Sequence, residues 1–216
     1  MPRIRVRQHV NPLSKPYQIP INPPDWDKVY ANLNYPLHLD LGCGWGEFLL
    51  QMAQSQPETN FLGLEIREPL VEKACFQRDE LGLTNLHFIF TNANTSLAVL
   101  LKSLPEGVLQ RISIQFPDPW FKKRHQKRRI VQPDLVAILA EYLTDEGMVF
   151  LQSDVKSVAV EMRDRFQEHP SFVPQHRQTW LETNPFPVAT EREILTLSRN
   201  EPVYRVLFRK QCPGNN

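Results

Sequence analysis

Short apolar runs alternate with longer segments of helical spacing along most of this chain, beginning near residue 37. Leu37 to Leu41, Asn60 to Glu65, His87 to Phe90, Arg111 to Phe116 and Met148 to Gln152 have the length of strands. Between them, Glu47 to Gln54, Glu68 to Leu81, Ser96 to Ser103 and Pro133 to Leu143 repeat their apolar residues with a helical period. Pro133 near the start and Gly147 shortly after the end bound the last of these as helix boundaries do. The β-α-β-α order predicts an α/β fold with a mostly parallel sheet covered on both faces. Right-handed crossovers make that sheet doubly wound.

The flanks read differently. From Met1 to about Pro36 the chain is rich in Pro, Asn and basic residues, which predicts an N-terminal arm (1–36) with a short helix around Asp25 to Asn32. Residues 37–216 are expected to form one domain. After Asp154 a helix through about His169 leads into a Pro-rich stretch, Pro170 to Pro187, and then an alternating apolar strand, Val203 to Phe208.

Composition narrows the function classes. Hydrophobic residues are 41% and charged residues 23% of 216, as in an ordinary globular protein. No apolar run approaches the roughly 20 residues that cross a bilayer. The start has no apolar secretory core, so a cytoplasmic address and no membrane partner are expected. Cys43, Cys75 and Cys212 lack CxxC or His spacing, which predicts reduced thiols and no metal site. Net charge is only +1, yet Lys122, Lys123, Arg124, Lys127, Arg128 and Arg129 fall within eight positions. That concentration is either a solvated face or a surface for phosphate.

The segment Asp40-Leu41-Gly42-Cys43-Gly44-Trp45-Gly46-Glu47 follows the first strand and opens the first helix. Its glycines allow close backbone approach to a ligand, and the helix start offers free N–H groups. The spacing is G-x-G-x-G, which is neither the dinucleotide fingerprint nor a P-loop. Glu65 ends the second strand, where a carboxylate can accept from both hydroxyls of a ribose. Together these features resemble motifs I and II of the class I S-adenosylmethionine methyltransferases. Asn92, closing the third strand, can either bond an adenine amine or cap the helix that follows.

The fourth strand ends in Gln115-Phe116-Pro117-Asp118-Pro119-Trp120-Phe121-Lys122. Ligands of open α/β sheets bind beyond the carboxyl ends of strands, so Asp118 should face the crevice of the glycine loop. The flanking prolines fix its backbone. Pro117-Asp118-Pro119-Trp120, with Lys122, Arg124-His125 and Lys127-Arg128-Arg129, closely resembles the signature of the tRNA (guanine-N7)-methyltransferases. That family methylates a variable-loop guanosine of tRNA. The resemblance runs from Leu37 to Phe208 and includes Thr190-Glu191-Arg192-Glu193 and Glu201-Pro202-Val203-Tyr204-Arg205.

The resemblance implies a seven-stranded Rossmann-like sheet with an antiparallel C-terminal strand, S-adenosylmethionine as cofactor, and tRNA as partner. It assigns cofactor contacts to Asp40, the loop glycines Gly42, Gly44 and Gly46, Glu65, Asn92 and Asp118. Asp118 is also its catalytic residue. Substrate contacts fall to Lys122, Asp154, Thr190, Glu191, Arg192 and Glu193, and tRNA-backbone contacts to Lys123, Arg124, Lys127, Arg128 and Arg129. The chain would act as a monomer or homodimer. Two positions depart from the pattern: Asn92 stands where Asp is common, and Arg192 where an aromatic residue is common. The rival readings are another RNA base methyltransferase and a non-catalytic RNA-binding module on the same scaffold. Intact Gly42, Gly44, Glu65 and Asp118 speak against the second.

Overall fold

The computed structural model describes residues 10–211. Cys212 and the first nine residues of the expected arm lie outside them. The sheet has seven strands in the order β3-β2-β1-β4-β5-β7-β6. These are β1 Leu37–Leu41, β2 Asn60–Glu65, β3 Leu86–Phe90, β4 Leu109–Gln115, β5 Met148–Ser153, β6 Phe172–Pro174 and β7 Tyr204–Lys210. The pairings of β1 with β2 and β4, β2 with β3, and β4 with β5 are parallel, whereas β7 runs antiparallel to β5 and β6.

Alternation along β1 sets the two layers. Leu37, Leu39 and Leu41 join a core built with α4 (Ala93–Lys102), α5 (Pro133–Tyr142) and α6 (Lys156–Gln167). The opposite face packs Phe61 and Phe88 against α2 (Glu47–Ser55) and α3 (Glu68–Glu80). His38 points to that second side, its ring 5.6 Å from Phe61 and 5.0 Å from Phe186. Burial, with Arg111 nearby, pulls the His38 pKa down to about 3, so it is a neutral core residue.

Four elements were not predicted, one of them a single 3-10 turn, Lys15–Tyr17, in the arm. β6 is a three-residue edge strand ending in Pro174, short enough to leave no periodicity to read. A final helix, α7 (Glu191–Ser198), carries a usable signal: Thr190 caps it by accepting from the Glu193 N–H at 3.2 Å. Thr190-x-x-Glu193 before an apolar residue is a capping-box spacing. The basic run folds into a 3-10 helix, Lys123–Arg128. The segment assigned to the arm also reaches the core. Its helix α1 (Trp26–Val29) buries Trp26, whose indole donates to Ser103 Oγ at 2.8 Å, and Tyr30 donates to the Phe61 carbonyl at 3.0 Å.

Candidate active site

Five parallel strands deliver their carboxyl ends to one edge, where Glu65 ends β2 and the loops carry Gly42, Asn92, Asp118 and Asp154. Gly42 and Gly44 adopt φ of 84° and 58°, and a Cβ at either would stand in open space. They keep the loop open toward the cavity. Gly46 serves packing instead: a Cβ there would stand 2.6 Å from the Phe88 ring, so α2 could not start so close to β3.

Glu65 is 3% exposed, and its carboxylate is fully partnered. The N–H groups of Ile66 and Arg67 donate to Oε1 at 2.9 and 3.0 Å, and Gly44 N–H donates to Oε2 at 3.0 Å. The Arg67 guanidinium adds two more bonds, at 2.9 and 3.1 Å. Asp40 is buried, and Ser113 Oγ donates to it at 2.5 Å while lying 2.9 Å from His38 Nε2. Burial pushes Asp40 up to about 6, with the Ser113 bond opposing that shift.

The Pro117-Asp118-Pro119 turn lies between two strained residues, Phe116 at φ 49° and Trp120 at φ 43°. Bulky side chains rarely adopt such values, which cost about 1–3 kcal/mol each, and such strain gathers at functional sites. Phe116 N–H is anchored to the Gln152 carbonyl at 2.8 Å, and Arg129 Nε donates to the Pro119 carbonyl at 2.8 Å. Asp118 lies where two cavities meet. One holds Glu65, Asn92 and Trp120, and the other Trp45, Phe121, Asp154 and Thr190; Asp118, Gly42 and Arg67 line both.

The family model described as "Putative methyltransferase" matches residues 34–206. A tRNA (guanine-N(7)-)-methyltransferase of Microcystis aeruginosa is 61% identical over 209 residues, covering 97% of this chain and 99% of that protein. The chain belongs to the tRNA (guanine-N7)-methyltransferase family. A relative of the same name from Trichormus variabilis is 60% identical over 97% of this chain and 98% of its own length. Among solved structures, an rRNA methylase of Streptococcus thermophilus aligns with a TM-score of 0.52 at 13% identity over 86% of this chain and 91% of that one, a likeness of fold alone.

Several residues expected to serve the family's site also make structural contacts. Glu193 is 1% exposed, and both of its oxygens are engaged. Arg205 donates to Oε1 at 2.6 Å, and Asn184 and Gln152 donate to Oε2 at 2.7 and 3.1 Å. It is a buried anchor joining α7 to β5 and β7. Arg129 is 6% exposed and pairs with Glu161. Its charge ties the Pro119 turn to α6. Arg128 is half-buried, its guanidinium 5.0 Å from the Trp120 ring centre. Lys122, Lys123, Arg124 and Lys127 are exposed, and Lys122 lies outside the lining of both cavities.

Arg192 reaches across to Asp154, with Nε 2.9 Å from Oδ2. Thr190, Glu191, Arg192 and Asp154 therefore share the cavity that Asp118 enters. Asn92 caps α4: its Oδ1 accepts from Asn94 N–H at 3.2 Å. Trp45 and Arg67 were missed as site residues. Phe121, interleaved with the basic run, is 73% exposed. Cys43 and Cys75 are free thiols raised chiefly by burial. No helix among the described residues is long and apolar enough to cross a membrane, and none of their His, Cys, Asp and Glu groups forms a candidate metal cluster.

Proposed function

We infer that the chain transfers a methyl group from S-adenosylmethionine to N7 of a guanosine in tRNA. The cavity residues fit that cofactor. Gly42 and Gly44 leave room for a ligand against the backbone, and Glu65 carries the two carboxylate oxygens that ribose hydroxyls need. The observation that carries the reading is the position of Asp118 at the junction of the two cavities. The Glu65 side suits the adenosine, and the Trp45 and Asp154 side suits the target base.

S-adenosylmethionine supplies a methyl carbon on a cationic sulfur. Guanine N7 carries an in-plane lone pair and no proton, so no side chain has to remove one. The N7–carbon bond forms as the sulfur–carbon bond breaks, and positive charge passes to the purine. The chain therefore has to hold and orient. Asp118 at the junction faces both the donor's charge and the charge that develops on the base. Asp154 can accept from the guanine N1–H and amino group once Arg192 yields it, and a cation at the rim, Lys122 or Arg192, suits O6. We place the phosphate contacts on Lys123, Arg124 and Lys127, and the activity in the cytoplasm with its tRNA, as a monomer or homodimer.

Purified protein incubated with labelled S-adenosylmethionine and unmodified tRNA should yield labelled 7-methylguanosine on nucleoside analysis. Label in another nucleoside, or none, overturns the reading.

A further inference from the structure

Asn92 caps α4 through its oxygen, and that leaves its amide to explain. Asn92 is 7% exposed, and its Nδ2 donates to the carbonyls of Pro12 at 3.2 Å and Tyr17 at 3.0 Å, with Thr95 Oγ1 at 3.0 Å. Thr95 Oγ1 donates to the same Tyr17 carbonyl at 3.1 Å, and Ile21 N–H donates to Ser96 Oγ at 3.3 Å. The Tyr17 ring meets Phe90 edge-on at 6.3 Å. Four hydrogen bonds and one ring contact from the end of β3 and the first turn of α4 thus converge on residues 12–21. Val10 and Pro12 in turn line the cavity that holds Glu65 and Asp118.

We propose that Asn92 is a positioning residue that clamps the Pro12–Tyr17 segment over the adenosine end of the cofactor cavity, making the arm one wall of the site. The amide is what the clamp requires. Two carbonyls face Nδ2, and a carboxylate at that position would set oxygen against both of them with no proton to share, leaving only the Thr95 hydroxyl able to donate to it. The inference rests on the cavity being the S-adenosylmethionine site.

Asn92→Asp separates the clamp from a direct adenine contact, because the two predict opposite signs. Asp keeps the cap on Asn94 N–H and favours the α4 N-terminus, so the variant retains the fold. With the clamp, amide exchange across residues 13–18 of the cofactor-free protein should accelerate at least tenfold. Cofactor Kd by calorimetry should rise about tenfold, roughly 1.4 kcal/mol. Thr95→Val, which leaves Asn92 in place, should accelerate the same amides by a smaller factor. Unchanged exchange in Asn92→Asp, or cofactor bound as tightly as or more tightly than by the parent, overturns the clamp. If the parent binds no S-adenosylmethionine, the reading of the cavity fails, and the exchange measurement still decides whether Asn92 holds the arm.

Discussion

Glu65 and Arg67, two residues apart at the end of β2, form a two-pronged ion pair in which Nε meets Oε1 at 2.9 Å and Nη2 meets Oε2 at 3.1 Å. The guanidinium occupies the acceptors that a ribose would use. Charge-assisted bonds to Glu65 would contribute about 1.5–3 kcal/mol, and displacing Arg67 takes part of that back. Glu65→Ala is therefore expected to weaken S-adenosylmethionine binding by about 1.5 kcal/mol, roughly tenfold, with tRNA affinity unchanged. Arg67→Ala should tighten cofactor binding several-fold. Calorimetry on both variants checks this, and weaker binding by Arg67→Ala would show that the guanidinium itself holds the cofactor.

Asp118→Ala should lose most turnover while its thermal midpoint stays near the parent's, because the residue stands at a cavity junction outside the core. Single-turnover assays at saturating cofactor and tRNA measure the loss. A variant with near-parental rates would remove Asp118 from the chemistry.

Glu193 should behave in the opposite way. It is 2% exposed in its side chain and pairs with Arg205, itself 7% exposed, so Glu193→Ala strands a buried cation. Removing one partner of a buried pair typically costs about 3–5 kcal/mol. Urea unfolding is expected to show a loss of that order, with cofactor and tRNA binding preserved in the fraction that stays folded. Parental stability combined with lost turnover would return Glu193 to the substrate.

Asp40 and His38 set opposing pH dependences. The folded chain keeps a proton on Asp40 up to about 6, whereas the unfolded chain gives it up near 3.9. Its contribution is present below the lower value and is lost as pH rises through the upper one. His38, pulled down to about 3, stays neutral in the fold where the unfolded chain binds a proton, so it adds stability as pH rises toward about 6.5. Between pH about 4 and 6 the two slopes oppose. Asp40→Asn removes the falling one, so its stability relative to the parent should grow from pH 4.5 to 6, read as urea midpoints in parallel. Equal differences at both pH values would show that Asp40 ionises as an exposed carboxylate does.

The α/β alternation was legible because strands β1 to β5 each gather apolar residues into a short stretch of strand length between segments of helical spacing. The glycine loop, Glu65 and Asp118 were legible because they sit at strand ends, where topology alone dictates a crevice. Partnership was not legible. Glu193 and Arg129 look in sequence like any acid or base beside a site, and only their neighbours Arg205 and Glu161, 12 and 32 positions away, turn them into buried anchors. Arg67 stays hidden for a related reason. Its role depends on a side chain bending back two residues to Glu65, which no periodicity records.

The same distinction decides the test of the basic run. Each phosphate contact releases condensed counterions, so tRNA affinity should fall steeply with salt, and each contact removed should flatten the slope by about 1 unit. Arg128 and Arg129 make poor probes, since truncating them disturbs Trp120 and the Pro119–Glu161 tie. Lys123 and Lys127 are exposed on the 3-10 helix and make clean ones. Lys123→Ala combined with Lys127→Ala is expected to weaken tRNA binding and lower the salt slope by about 1–2 units, with cofactor affinity and thermal midpoint preserved. Arg129→Ala should instead lower stability and turnover, because the turn carrying Asp118 loses its tie to α6. Binding measured at several salt concentrations separates the two effects. If the double lysine variant keeps the parental slope, the exposed run is a solvated face, and the phosphate contacts must be sought elsewhere on the rim.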